Sequence, residues 1–354
     1  MGRRLNHPEW GADQTELVVL KSADFGTYAE AHGGTLPYRV DRLRSAGFGL
    51  VWDDRRARLV GWRARLVGRL EALATPYLQT WWLRRDIARA PATVAFFESE
   101  GHALALARAL GVRRRTVLVV MTCWLGEITP QLGRSRRALY RALYRHVDIV
   151  TVFTDNQIPI LVDVLRIDPR RIHAIPFGID CAEVQALNPS NGDYFLAVGR
   201  DSARDWDTLF AGVAGTGRRV IVLARPSRLP ALAPPAEVEV LGYVDRARYL
   251  ELLAGCAGVL IVTRAVSYPS GQTVLLEALA LGKRCVVTET PAMKSFGADL
   301  PCRWVPVSDP AALHEAIGNL DTLAPPDVAL DRLDTDAMWR AVAALINDAL
   351  AGRG

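Results

Sequence analysis

Two stretches of the chain carry residues suited to holding an anion. The first, Ala197-Val198-Gly199-Arg200-Asp201-Ser202-Ala203-Arg204-Asp205-Trp206, leaves an apolar run and enters a helical one. Arg200 and Arg204 stand at a predicted helix start, where free backbone N–H groups also favour anions. A guanidinium can fork onto phosphate oxygens. The same stretch also reads as a surface loop in which Asp201 and Asp205 neutralise the two cations. The second stretch is Tyr268-Pro269-Ser270-Gly271-Gln272-Thr273-Val274-Leu275-Leu276-Glu277-Ala278-Leu279-Ala280-Leu281-Gly282-Lys283. Its Ser-Gly turn opens a helix, leaving unsatisfied N–H groups and the positive end of the helix dipole at the turn. Glu277 follows about one turn in. A carboxylate accepts two hydroxyl hydrogen bonds, which suits a ribose diol. Flanked by Leu275, Leu276, Ala278 and Leu279, this acid is expected to have a partner.

The elements that position these loops alternate along the chain. Continuously apolar runs predict strands at Leu17–Leu20, Gly49–Trp52, Thr93–Phe97, Thr116–Met121 and Asp148–Phe153. Helices are expected at Tyr38–Ala46, Ala103–Leu110 and Ser135–His146. After a Pro/Gly/Asn cluster near 176–192 the pattern restarts. Strands are predicted at Tyr194–Val198, Arg219–Ala224, Val238–Leu241, Val259–Val262 and Arg284–Thr288, and helices at Asp207–Val213, Arg246–Ala254 and Thr273–Leu281. Uninterrupted apolar strands separated by helices are the signature of parallel sheets covered on both faces. The expectation is therefore an α/β chain of two doubly wound domains, residues 1–175 and 176–335, with a last helix at 336–352 crossing back onto the first. Ligands of such sheets bind beyond the carboxyl ends of the strands.

Composition limits the function classes. In 354 residues, half are hydrophobic and 23% charged, which excludes a disordered chain and leaves a sizeable core. No apolar run approaches the roughly 18–20 residues of a membrane-spanning helix, and the start lacks a signal-peptide core. Five scattered cysteines without a CxxC pair argue against a disulfide framework or zinc site and for a reducing cytoplasm. The net charge of +5 is uneven: residues 1–175 hold 27 Lys+Arg against 17 Asp+Glu, and the remainder 16 against 21. A basic half suggests phosphates, nucleic acid or an anionic membrane, and no nucleic-acid motif accompanies the charge. Residues 55–90 carry nine Arg, two acids and Trp62, Trp81 and Trp82. Two readings of this segment stay open. It is a basic helix lying in an anionic membrane interface, or an ordinary amphipathic helix with solvated arginines.

With Ile175-Pro176-Phe177-Gly178-Ile179-Asp180 added, the second half resembles the GT-B glycosyltransferases, specifically the retaining group called family 4. VGR followed by Arg204-Asp205 is similar to that family's donor-phosphate loop, SGQTVLLEALALGKRCVVT to its signature helix and strand, and IPFGID to its interdomain linker. The first half matches more loosely, through a strand followed by Gly33-Gly34, as in the family's glycine loop. The resemblance implies a GT-B fold, two Rossmann-like domains facing each other across a cleft. It implies a UDP- or GDP-linked sugar donor, transfer to an acceptor hydroxyl with retention, and no metal or other cofactor. Carried over by position, Gly199, Arg200 and Arg204 hold the diphosphate. Gly33, Gly34, Gly271, Gln272 and Thr273 approach phosphate or sugar, and Glu277 binds the ribose. Arg200, Arg204 and Glu277 would carry catalysis. Tyr243, after Gly242, flanks the base or is simply a packed loop aromatic.

The sequence departs from the family at Pro269, where a glutamate is usual, and in lacking a His in Val120–Glu127. Glu98, Glu100 and His102, after another first-domain strand, are alternative catalytic candidates. A glycolipid, a polysaccharide precursor or a natural product fits as acceptor. A sugar-nucleotide epimerase and a degenerate binding protein on the same fold are the competing readings. The expected location is the cytoplasm, at the inner membrane face if residues 55–90 meet lipid.

Overall fold

A computed structural model describes residues 15–20, 35–52, 77–111, 116–231, 233–331 and 334–353. Gly33, Gly34, Trp62 and most of the Arg-rich segment lie outside the described residues. Contacts group the chain into two units, Met1–Pro176 with Thr335–Gly354, and Phe177–Asp334.

In the first unit, β1 (Thr15–Leu20), β2 (Phe48–Val51), β3 (Ala92–Phe96), β4 (Val117–Met121), β5 (Ile149–Val152) and β6 (Ile172–Ala174) form a sheet ordered β2-β1-β3-β4-β5-β6. Every pairing is parallel. β3, β4 and β5 are buried along their whole length, as expected of strands covered by helices on both faces. The predicted helix at Tyr38–Ala46 is instead a 3-10 segment, Pro37–Arg44, in which Tyr38 and Arg39 adopt left-handed backbone angles. The last helix, Thr335–Ala351, belongs to this unit: Trp339 is fully buried and its indole N–H donates to the Tyr38 carbonyl at 2.8 Å.

In the second unit, β7 (Tyr194–Val198), β8 (Arg219–Leu223), β9 (Val238–Val240), β10 (Gly258–Ile261), β11 (Arg284–Thr288) and β12 (Arg303–Val305) form a parallel sheet ordered β12-β11-β10-β7-β8-β9. The chain winds outward from β7 in one direction and from β10 in the other. The order therefore reverses between these neighbours, which is where doubly wound sheets bind ligands. The Arg200–Arg204 loop leaves β7, and the loop opening the Glu277 helix follows β10.

Five of the six described α-helices of this unit begin with a side-chain cap. Asp180, Asp205, Asp245, Thr290 and Asp309 each accept a backbone N–H of the first turn. The sixth, Gln272–Ala280, begins at Gly271 with no side-chain acceptor. An uncapped helix start keeps its orphan donors available for a ligand.

Candidate functional site

The loop from Gly199 to Asp205 is pinned across the β7/β10 junction by backbone bonds from Asp205 N–H to the Val262 carbonyl (3.1 Å) and from Arg264 N–H to the Ala203 carbonyl (2.8 Å). Asp201 then ties it to the next loop. Its carboxylate accepts from the Tyr268 hydroxyl (2.7 Å), the Ser270 hydroxyl (2.8 Å) and the Ala203 N–H (3.1 Å). Asp201 is thus a clamp between two loops, a role that its place beside two arginines did not reveal. Asp205 caps the Trp206–Val213 helix through the Thr208 N–H and hydroxyl.

Arg204 runs between two glycines. A Cβ at Gly199 would stand 2.4 Å from its Cγ and Nε, and one at Gly271 would stand 2.7 Å from Nη1 and 2.8 Å from Nη2. Only glycine leaves room for the stem at one position and for the guanidinium at the other, and Gly271 also holds φ +93°. Arg204 is 5% exposed, and its Nε is buried without a partner. Burial pulls its pKa down to about 10, with Asp201, Tyr249 and Tyr268 opposing, so it stays a cation at neutral pH. It lies against the head of the uncapped helix, where the N–H groups of Gly271, Thr273 and Val274 have no acceptor among the described residues, whereas the Gln272 N–H, expected among them, donates to the Pro269 carbonyl at 3.1 Å. A buried cation and a set of free amides converge there, an arrangement complementary to a phosphate group.

The other predicted residues divide around this centre. Arg200 is exposed and stacks on the ring of Tyr243, its guanidinium carbon 4.3 Å from the centroid. Tyr243 is 64% exposed, so it is not the packed loop aromatic. Glu277 is 2% exposed and its partners are now visible. Arg246 Nη1 donates to Oε1 at 2.6 Å, and the Tyr249 hydroxyl donates to Oε2. Arg246 also reaches Glu183 at 2.8 Å. Burial pushes the Glu277 carboxyl up, and Arg246 and Tyr249 oppose the shift. Tyr249 is the link between Glu277 and Arg204, bonded to one and in electrostatic reach of the other. No sequence signal marked Arg246 or Tyr249. Both lie on one helix, 31 and 28 residues before the acid they hold.

In the first unit the alternative candidates have structural work. Glu98 Oε1 accepts the N–H groups of Cys123 (2.7 Å), Trp124 (2.5 Å) and Leu125 (2.9 Å), capping the short Leu125–Ile128 helix from a distance. Glu100 is buried and accepts from the Ser99 hydroxyl at 2.6 Å. The His102 ring lies 4.3 Å from that of Tyr140, and its Nε2 is buried without a partner. Burial lowers its pKa from 6.5 to about 4. A base with a depressed folded pKa is neutral in the native state and takes up a proton on unfolding. The stability present above pH 6.5 is therefore lost as the pH falls towards 4. The shift corresponds to about 3 kcal/mol. His102→Phe should flatten this fall in melting temperature over that window, and equal slopes for the two proteins would contradict the assignment. Among the described residues no group of His, Cys, Asp and Glu could hold a metal ion.

No protein-family model matches the sequence, and no curated protein is similar to it in sequence. Solved structures are similar in fold. A glycosyltransferase from Rickettsia africae ESF-5 is 12% identical with a TM-score of 0.62, covering 96% of this chain and 99% of that one. Anabaena HepE in complex with UDP is 13% identical with a TM-score of 0.65, covering 95% and 100%. A UDP-forming α,α-trehalose-phosphate synthase from Burkholderia xenovorans is 13% identical with a TM-score of 0.62, covering 96% and 98%. Two parallel six-stranded sheets with alternating helices, matched over nearly the full length of these chains, give this protein the GT-B fold.

Proposed function

We propose that the chain is a glycosyltransferase that moves a sugar from a UDP- or GDP-linked donor to an acceptor hydroxyl, with retention and without a metal. The observation that carries this reading is Arg204, a buried cation that forms no ion pair among the described residues, set against the start of the one described α-helix of the second unit that lacks a side-chain cap. Similar folds bound to UDP or described as UDP-forming support it.

In this reading the donor diphosphate lies on Arg204 and on the N–H groups of Gly271, Thr273 and Val274, with Arg200 and Gly199 beside it. Tyr243 and Arg200 offer a stacked surface to the base. Arg246 and Tyr249 use two of the roughly four lone-pair sites of Glu277, leaving the others for the ribose diol. Transfer breaks the bond between the anomeric carbon and the phosphate oxygen and forms one to the acceptor oxygen, whose proton passes to the departing phosphate. Negative charge grows on the diphosphate as the sugar becomes cationic, so fixed donors there lower the barrier. The first unit is the acceptor domain in this proposal, and a glycolipid, polysaccharide precursor or natural product supplies the hydroxyl.

The test is a thermal-shift screen of nucleoside diphosphates and their sugars in EDTA, followed by product analysis. A stabilising UDP- or GDP-sugar should release its nucleoside diphosphate to an acceptor and give a product of unchanged anomeric configuration. If no nucleoside diphosphate stabilises the protein at millimolar concentration, the reading fails.

A further inference from the structure

The helix Arg134–Tyr144 in the first unit reads Arg-Ser-Arg-Arg-Ala-Leu-Tyr-Arg-Ala-Leu-Tyr and is followed by Arg145. Elsewhere in the molecule arginines find carboxylates, among them Arg108, Arg170, Arg218, Arg219, Arg246 and Arg248. Among the described residues neither the four arginines of this helix nor Arg145 does. Arg137 and Arg141 bond only to backbone carbonyls, and Arg134, Arg136 and Arg145 are exposed. The helix has no acid in its first turn and no side-chain cap at Gly133. Arginines crowd its positive end and repeat at i, i+4 through Arg137, Arg141 and Arg145. Both arrangements work against an isolated helix, and local choices that oppose the fold mark functional surfaces.

The exposed face is also apolar in part. At 3.6 residues per turn, Ala138, Leu139 and Ala142 form its middle, with Arg134, Arg141 and Arg145 along one edge and Arg136 along the other. Leu139 is 54% exposed. Beside the helix, Tyr77 is in electrostatic reach of Tyr140. Tyr77 and Trp81, one turn apart, are 50% and 59% exposed, and Arg84 stacks on the Trp81 ring. An apolar stripe edged by guanidiniums and accompanied by half-exposed aromatics has the make-up of an interfacial surface. The stripe and rings enter the acyl boundary while the cations stay at the headgroups.

From this we infer that the Arg134–Arg145 face docks the protein on a bilayer rich in anionic lipid. The inference does not depend on the donor chemistry, and it centres the contact on a helix outside residues 55–90, with Tyr77 and Trp81 of that segment beside it. The charge matches an anionic surface, and the exposed leucine and tryptophan favour a bilayer over a soluble polyanion.

The test is co-sedimentation of the full chain with vesicles of phosphatidylcholine alone, or with roughly a third phosphatidylglycerol, across a salt series. Wild type should bind only the anionic vesicles, more weakly as salt rises. The triple variant Arg134→Gln/Arg136→Gln/Arg145→Gln should bind about tenfold or more weakly at unchanged melting temperature. Leu139→Gln should lose the binding that survives at high salt. Absence of wild-type binding, equal binding by the triple variant or by Leu139→Gln, or binding of an RNA homopolymer in preference to the vesicles would each overturn the inference.

Discussion

Arg204→Met is expected to remove nucleotide binding and transfer while leaving the fold as stable as the wild type, or more so. Arg204 is buried with an unpartnered Nε, and burial lowers its pKa to about 10. A buried charge without a paired counter-ion costs folding free energy, and an apolar side chain of similar length relieves that cost. Among the described residues its charge enters no ion pair in the free protein, whereas a bound diphosphate would meet it directly. Charge-assisted hydrogen bonds contribute about 1.5–3 kcal/mol, so affinity should fall by roughly ten- to a hundredfold or more. Urea denaturation and calorimetric titration read the two effects separately. A strongly destabilised variant with unchanged affinity would show that Arg204 serves packing and not the ligand.

Asp201→Ala is expected to do the opposite on stability while also weakening binding. Its carboxylate accepts from the Tyr268 and Ser270 hydroxyls and the Ala203 N–H, and Tyr268 and Ser270 are both buried. Removing the acceptor strands those donors, at a cost of about 2–4 kcal/mol. It also unties the Gly199–Asp205 loop from the loop before Gly271, so the cation and the free amides lose their mutual placement. Stability and affinity should therefore fall together. A variant with wild-type stability would mean that the two loops are held by other contacts. The contrast between Arg204→Met and Asp201→Ala separates the group that meets the ligand from the group that positions it.

What the sequence made legible follows from period and charge. Apolar runs rich in valine and isoleucine, such as those in Val117–Met121 and Arg219–Leu223, marked the parallel strands, because strands buried on both faces need no alternation. β6 and β12 escaped because Ile-His-Ala and Arg-Trp-Val are not apolar runs. The Gln157–Leu165 helix was hidden by Pro159, which stands in its first turn where a missing N–H costs little. In the candidate site, Arg204 and Gly271 stood out by type and position. Asp201, Arg246 and Tyr249 did not, because their partners lie 28 to 69 residues away in sequence and only the fold brings them together. The family resemblance implied one diphosphate site for both arginines. The structure buries Arg204 between Gly199 and Gly271 at the helix start and leaves Arg200 exposed on Tyr243.

The proposed function rests on an anion seat at the β7/β10 junction, and isothermal titration of UDP and GDP in EDTA into wild type and Arg204→Met probes it most directly. At least one of the two should bind wild type saturably and without metal, and that binding should be lost in a variant that remains folded. Equal binding by both proteins, or no binding of either nucleotide to a folded wild type, would contradict it.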